Sequence, residues 1–238
     1  MNIHYQPDNT RFFLEGEEAQ HCLKVLRKQK GDILLITDGR GKKTTARLTE
    51  TTKSVCRYES MGVELVEPPR CRIKMAVCPT RNAERNEWMV EKMTELGVQE
   101  INFVVSEHTQ RLTLSRVVHM DRLHRIALSA MKQSQQFFLP KINFFSSITD
   151  FFEQNEAEER YIAYVAQGQG HEHLVQKVSG AESVAVLIGP EGDFSPAEIQ
   201  QAFDSGFQPV SLGNTRLRTE TAAVIACHSV QLARILRG

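Results

Sequence analysis

Two glycine-containing turns late in the chain carry the residue types from which a ligand site is built. The first is LIGPEGDFSPAEI, residues 187–199, where an apolar run ends in Gly189, Pro190, Glu191 and Gly192. Glycine lets backbone N–H and C=O groups come close to a ligand, and proline fixes the loop before the ligand arrives. Ser195, Pro196 and Glu198 then read as a capping box with proline at the first helical position. The helix start therefore satisfies its own N–H groups and is not an open anion site. The second turn is LGNTRLRTETAAVIA, residues 212–226. It holds Arg216 and Arg218, then Thr219 or Thr221 as an N-cap, Glu220, and the small residues Ala222, Ala223 and Ala226, which allow close packing against something flat. The simpler alternatives are a structural turn for the first stretch and a helix cap with surface arginines for the second. Two ligand-competent turns after successive strand candidates weigh against both at once, because ligands of open parallel sheets bind beyond the carboxyl ends of the strands.

Several chemistries are excluded by what these turns lack. No G-x-x-x-x-G-K-[ST] is present, and GQG at 168–170 misses the third glycine of a dinucleotide fingerprint, so neither a nucleoside triphosphatase nor a Rossmann site is indicated. His171 and His173 form a pair, but no H-E-x-x-H accompanies them, and no metal site is expected. The five cysteines, Cys22, Cys56, Cys71, Cys78 and Cys227, are odd in number and contain no C-x-x-C, so reduced, mostly buried thiols are expected.

Charge is zero overall, with 29 basic and 29 acidic residues, yet it is unevenly placed. The stretch from His21 to Arg57 holds ten Lys and Arg against three acids, a net +7. Lys24, Arg27, Lys28, Arg40, Lys42 and Lys43 make this the candidate nucleic-acid-facing surface, since clustered cations neutralise phosphates. The alternative is a solvated face of a small domain.

The elements that must position these residues fall into two textures. Before Glu67-Pro68-Pro69-Arg70, short apolar runs alternate with turn chemistry, as in DILLITDGRGKKTTARLTE, which predicts strand, Gly-rich turn and strand. Ala19, Cys22, Leu23, Val25 and Leu26 have spacings that predict one helix ended by Gly31. The two prolines forbid helix and central strand alike, so the expected domains are 1–69, a small β-rich domain, and 70–238. In the second, strands such as RIKMAVCP, INFVVS, YIAYVA, SVAVLIG and PVSLG alternate with helices, which predicts an α/β domain with a mostly parallel sheet covered on both faces. NAERNEWMVEKMTELG reads as an amphipathic helix with Trp88, Met89, Met93 and Leu96 on the core side. No window approaches the length of a membrane helix, and MNIHYQPDNT lacks the regions of a signal peptide, so a soluble cytoplasmic protein is expected.

With these motifs in order, the chain resembles the RsmE family of ribosomal RNA methyltransferases of the SPOUT superfamily. The resemblance runs through HCLKVLR, ERNEWMVEKMTELGV, SEH, RIALSAMKQS with LPKI, IGPEGDFSPAEI and LGNTRLRTETA. It implies an N-terminal PUA-like β-barrel for RNA binding, a C-terminal α/β domain with a trefoil knot, a homodimer, and S-adenosylmethionine as methyl donor to N3 of a uridine in small-subunit (16S) ribosomal RNA, free or in the assembled subunit. Carried over by residue, it places the cofactor on Gly189, Pro190, Glu191, Gly192, Leu212, Gly213, Leu217, Arg218, Thr219, Glu220, Thr221 and Ala222. His21, Val25, Leu26 and Arg27 belong to the RNA-facing domain. The chain departs from the pattern at Asp193, where a second Gly is common, at Thr215 and Arg216, where Arg and Ile are common, and at Lys132 and Gln136, where Glu and Arg are. Other SPOUT methyltransferases, acting on a ribose 2′-hydroxyl or a transfer-RNA base, share the cofactor turns but not HCLKVLR. A non-catalytic RNA-binding module is the remaining alternative.

Uridine N3 carries a proton at neutral pH, so the implied reaction needs a general base or donors at O2 and O4 where the anion spreads. Arg218 suits the second role, since its donor fork can face a carbonyl. Glu191 and Glu220 are the candidate bases, each also readable as a structural acid.

Overall fold

The computed structural model describes residues 2–111, 114–164 and 170–237. Two compact units are present, one of Met1–Pro68 with Leu128–Leu139 and one of Pro69–Ala127 with Pro140–Gly238.

The first unit is a five-stranded sheet of order β1-β3-β4-β5-β2, built from β1 (Ile3–Tyr5), β2 (Phe13–Glu15), β3 (Ile33–Thr37), β4 (Lys42–Thr51) and β5 (Val55–Leu65). β1 runs parallel to β3, and the other pairings are antiparallel. Ala46, Leu48 and Cys56 alternate along β4 and β5 with exposed or half-buried residues, β3 is buried from Leu34 to Thr37, and Leu34, Ile36, Ala46, Leu48 and Cys56 meet Leu14, Ala19 and Cys22 in the core. The β3–β4 connection is the expected Gly-rich turn. Gly41 has φ +96, and a Cβ there would lie 2.6 Å from the Phe138 ring, so only glycine fits. Asp38 Oδ1 accepts the N–H groups of Arg40 and Lys42 at 2.8 and 3.2 Å, which fixes the turn.

The expected helix near residue 20 is α1 (Gly16–Gln20) continued by a π-helical turn, His21–Val25. The π turn changes the angular step between residues, so Val25, one of the apolar residues whose spacing predicts the helix, is 66% exposed while Cys22 stays buried. Segment 128–139, which begins within α4 (Met120–Gln133) and runs on to Leu139, joins this unit, where Lys132 pairs with Glu18.

The second unit holds a six-stranded, wholly parallel sheet of order β11-β9-β10-β6-β7-β8. Its strands are β6 (Arg72–Val77), β7 (Glu100–Val104), β8 (Lys141–Phe145), β9 (Glu159–Ala163), β10 (Ser183–Ile188) and β11 (Gln208–Val210). Between and after them run α2 (Ala83–Glu95), α3 (Leu114–Val117), α5 (Ile148–Gln154), α6 (Leu174–Lys177), α7 (Pro196–Asp204) and α8 (Thr219–Arg237). Side chains of a strand alternate between its faces. Ala76, Ala185 and Leu187 accordingly pack with Phe151 and Phe152 of α5 and Ala202 of α7, while α8 covers the opposite face of β6 and β10 and packs on α2 and α6. Both faces of the sheet are thereby covered, as the near-continuous apolar strand SVAVLI requires.

Trp88 departs from the expectation of a core residue, being 42% exposed. The buried stripe of α2 is Asn86, Met89, Val90, Met93 and Thr94, and a residue one step before Met89 is turned about 100° away from it. The cysteines are buried free thiols, and burial pushes Cys78 and Cys227 up to about 12. Val165 and Ala166 of the expected strand YIAYVA, and the first two residues of GQG, lie outside the described residues. No helix among the described residues is long and apolar enough to cross a membrane.

Candidate active site

The carboxyl ends of β9, β10 and β11 open into one cavity of about 680 Å³. The order of the sheet explains its place. From β6 the chain adds β7 and β8 outward on one side, whereas β10, β9 and β11 lie on the other, and crevices form where an open parallel sheet reverses its winding. Each wall comes from the loop after one strand. Ala163 ends β9 and Tyr164 follows it, Gly189, Pro190, Glu191 and Asp193 follow β10, residues 211–218 follow β11, and Arg85 reaches in from the first turn of α2.

Of the residues singled out in the two turns, Gly189, Pro190, Glu191, Leu212, Gly213, Leu217, Arg218, Thr219 and Ala222 line this cavity, together with Asp193, Thr215 and Arg216. Gly192, Glu220 and Thr221 do not line it. Gly192 lies behind the loop, where a Cβ would be 3.4 Å from the Cβ of His108. The two turns are tied directly. Thr219 is the first residue of α8, and its Oγ1 donates to the Gly189 carbonyl at 3.0 Å. Its hydroxyl is thus a link between the loops.

Other local devices hold the walls. Ser195 Oγ accepts the Glu198 N–H while Glu198 Oε2 accepts the Ser195 N–H, the predicted capping box, with Pro196 opening the helix. The second carboxylate oxygen of Glu198 accepts the Glu107 N–H at 2.7 Å, and His108 Nδ1 donates to the Asp193 carbonyl at 2.8 Å. The SEH segment after β7 therefore braces the first turn from behind. Asp193 has φ 65, the left-handed region in which glycine is at ease, so the glycine common in the family at this place has a backbone reason. Aspartate is among the residues that tolerate it, and Asp193 Oδ1 also accepts the Phe194 N–H at 2.9 Å. At Gly189 a Cβ would stand 2.9 Å from Cε2 of Phe194, so this position admits no side chain without moving that ring.

The charges divide into paired and unpaired. Glu191 Oε2 lies 3.4 Å from Arg81 Nε, and Glu220 Oε1, on a residue 8% exposed, lies 3.5 Å from Arg85 Nη1. Asn82 caps α2 by accepting the Glu84 and Arg85 N–H groups, which fixes the turn carrying Arg85. Among the described residues the Arg216 and Arg218 side chains make no hydrogen bond or ion pair, and both are exposed. Arg85 and Tyr164 were not singled out in the sequence, and His171 was noted there only as half of a histidine pair without further metal ligands. His171 stacks at a tilt on Tyr164, with ring centroids 5.3 Å apart, and its buried Nε2 has no partner. Among the described residues no group of three or more His, Cys, Asp or Glu is placed to hold a metal ion.

The residues of the basic block all lie in the first unit. Lys24 and Arg27 are exposed, and their side chains make no hydrogen bond or ion pair among the described residues. Lys28 Nζ donates to the Ile33 carbonyl, Arg40 to that of Pro7 and Lys42 Nζ to Asn9 Oδ1. Lys43 pairs with Glu64 at 2.8 Å and stands over the Phe137 ring. The block is therefore partly spent on the unit's own acceptors.

Comparison with known proteins agrees with this arrangement. Residues 67–231 match the RNA methyltransferase domain, and residues 14–56 match the RNA methyltransferase PUA domain. The structure of a probable rRNA-methyltransferase from Porphyromonas gingivalis is 40% identical, covers 100% of both chains and superposes with a TM-score of 0.92. That of a ribosomal RNA small subunit methyltransferase E from Neisseria gonorrhoeae, bound to S-adenosyl methionine, is 27% identical over 97% of each chain, with a TM-score of 0.84. The ribosomal RNA small subunit methyltransferase E of Buchnera aphidicola is 27% identical across 94% of this chain and 88% of its own. The chain belongs to the RNA methyltransferase family, with the ribosomal RNA small subunit methyltransferase E proteins among its relatives.

Proposed function

We propose that this protein is a cytoplasmic, homodimeric methyltransferase that uses S-adenosylmethionine to methylate N3 of a uridine in small-subunit ribosomal RNA. The observation that carries the reading is the cavity at the carboxyl edge of β9, β10 and β11, in whose lining Glu191 is paired with Arg81 whereas the Arg218 side chain has no partner among the described residues. The residues present fit the cofactor. Ile188, Val210, Leu212 and Leu217 offer apolar surface for an adenosine, and bare backbone at Gly189 and at Gly213, with φ +136, lets its polar edge approach main-chain groups. Its volume lies within the range of small-molecule sites.

When bound, S-adenosylmethionine supplies a methyl group on a sulfonium centre. The chain must favour the N3-deprotonated uridine and hold it in line. Arg218 presents donors to O2 or O4, where the negative charge spreads, and a preorganised cation there is worth several kcal/mol in a water-poor site, about 3–4 for a single oxyanion donor in a well-studied hydrolase. The N3 proton passes to solvent water before attack, leaving the anion that Arg218 stabilises, while Glu191 and Glu220, paired with Arg81 and Arg85, act on loop geometry. Leu212 and Leu217 exclude water from the reacting atoms.

Lys24, Arg27, Lys28, Arg40, Lys42 and Lys43 receive phosphates of the RNA, with Lys24 and Arg27 free to do so. Exposed Trp88 on α2 and Ile225 on α8, two helices that pack together, support the second subunit's place on this face. Nucleoside mass spectrometry of ribosomal RNA from cells lacking the protein tests the function. Loss of one 3-methyluridine from the small-subunit RNA is expected; an unchanged nucleoside profile overturns it.

A further inference from the structure

A second cavity, of about 190 Å³, opens on the first unit. It is smaller than the roughly 300–1,000 Å³ of sites that enclose a whole small molecule, so its ligand is one part of a larger one. Phe12 stands in its wall, 53% exposed, edge-on to Tyr58 with ring centroids 6.1 Å apart. Tyr58 is pinned from the other side, its hydroxyl donating to the Arg11 carbonyl at 2.9 Å. The Phe12 ring is thus held by one neighbour while half of its surface stays open.

The polar lining suits a neutral, edge-bonding group. Gln6 donates to the Phe13 carbonyl and accepts the Asp8 N–H. Asn9 donates to Asp38 and accepts from Lys42. Each amide spends one donor and one acceptor inside the unit and keeps another of each, the complement of a base edge. Asp38 also lines the cavity, and a carboxylate there repels a phosphate. Cations sit beside it, Lys42 in the lining and Arg40 in the neighbouring turn.

We propose that this cavity is a nucleobase subsite, in which an unstacked base of single-stranded RNA lies on the open face of Phe12, its edge read by Gln6 and Asn9, with the flanking phosphates outside on Arg40 and Lys42. The inference rests on the RNA reading of the chain. Single-stranded bases are the parts of RNA that aromatic side chains can stack on, whereas a duplex keeps its bases paired and stacked.

The test is fluorescence anisotropy with the full chain and two probes, a fluorescein-labelled 12-nucleotide single strand and the same strand in a blunt duplex. Phe12→Ala should weaken single-strand binding about 5- to 150-fold, the loss of one base–aromatic stack. Phe12→Leu should lose a comparable share, Phe12→Trp should restore it, and duplex binding should be unaffected. The slope of affinity against salt should not change in Phe12→Ala, since no phosphate contact is removed, but should shrink in Arg27→Glu. Thermal melts matching wild type establish that the variants fold, and Phe12→Trp carries the test should Phe12→Ala melt early. Equal single-strand affinity in Phe12→Ala and wild type, or equal losses on both probes, overturns the subsite and leaves the RNA reading standing. A wild-type chain that binds neither probe removes both.

Discussion

Thr219→Val exchanges a hydroxyl for a methyl at nearly constant shape and removes the bond that joins the two turns of the large cavity. Thr219 is 5% exposed, and its Oγ1 donates to the Gly189 carbonyl at 3.0 Å. A bond of this kind contributes about 0.5–1.5 kcal/mol net, and a buried acceptor left without a donor costs about 1–3 kcal/mol. Gly189 is half-buried, so water recovers part of the loss and a cost of about 1–2 kcal/mol is expected. A ligand that touches both turns must then re-form their geometry from its own binding energy. At about 1.4 kcal/mol per tenfold, S-adenosylmethionine should bind about 5- to 30-fold more weakly by calorimetry. The unfolding midpoint should fall by a few degrees, at about 2–4 °C per kcal/mol for a unit of this size. Thr219→Ser keeps the donor and should behave as wild type. Affinity within twofold of wild type and an unchanged melt in Thr219→Val would refute the claim that this bond assembles the site.

Three further outcomes are expected. Arg218→Lys should lower the methylation rate about 10²–10³-fold while leaving S-adenosylmethionine affinity near wild type, because a point charge does not replace a donor fork; single-turnover kinetics with calorimetry separates the two. Arg27→Glu with Lys24→Glu should weaken RNA binding most at low salt and flatten its salt dependence, and insensitivity there would make the block only a solvated face. Burial alone would raise the Glu18 carboxyl, but hydrogen bonds from His4, Lys132 and the Tyr5 N–H outweigh it and hold it below the ordinary carboxylate range. The folded-state value is thus depressed, so this stabilisation is present above the unfolded carboxylate value of about 4.3 and is lost as pH falls through the folded one. Burial, followed by the neighbouring His4 and Lys132, likewise lowers His21, whose protonation opposes folding as the solution is acidified. Glu18→Gln should be less stable near neutrality and lose less stability as pH falls through and below the ordinary carboxylate range, measured by urea unfolding across pH.

The parts of the site that were legible in the sequence are those written in local chemistry. Gly189, Pro190 and the Ser195–Glu198 capping box signal their conformations within a few residues, and the folded turn follows those signals. Arg85, Tyr164 and His171 carry no local signal for the site. They reach it because the strand order sets the ends of β6, β9, β10 and β11 side by side, a long-range fact that periodicity does not encode. Trp88 shows a finer limit. Hydrophobicity placed it with Met89, but one residue turns a helix by about 100°, and the stripe through Asn86, Met89, Val90 and Met93 leaves it outside. Asn86 is buried because its amide bonds the Thr80 N–H and the Val117 carbonyl, partners that no hydropathy pattern reveals. Val25 is exposed because a π turn shifts its phase relative to Cys22. Segment 128–139 packs into the first unit although nothing in its composition sets it apart from the residues before it.

The central claim, methyl transfer to uridine N3 at the cavity formed by the two turns, meets its most direct test in a reaction of the purified chain with methyl-labelled S-adenosylmethionine and small ribosomal subunits from cells lacking the protein. After digestion of the RNA to nucleosides, chromatography and mass spectrometry should find the label in 3-methyluridine alone, close to one per subunit, and none with Arg218→Glu. Label in a 2′-O-methylated nucleoside or in another base, or undiminished labelling by Arg218→Glu, would contradict the account.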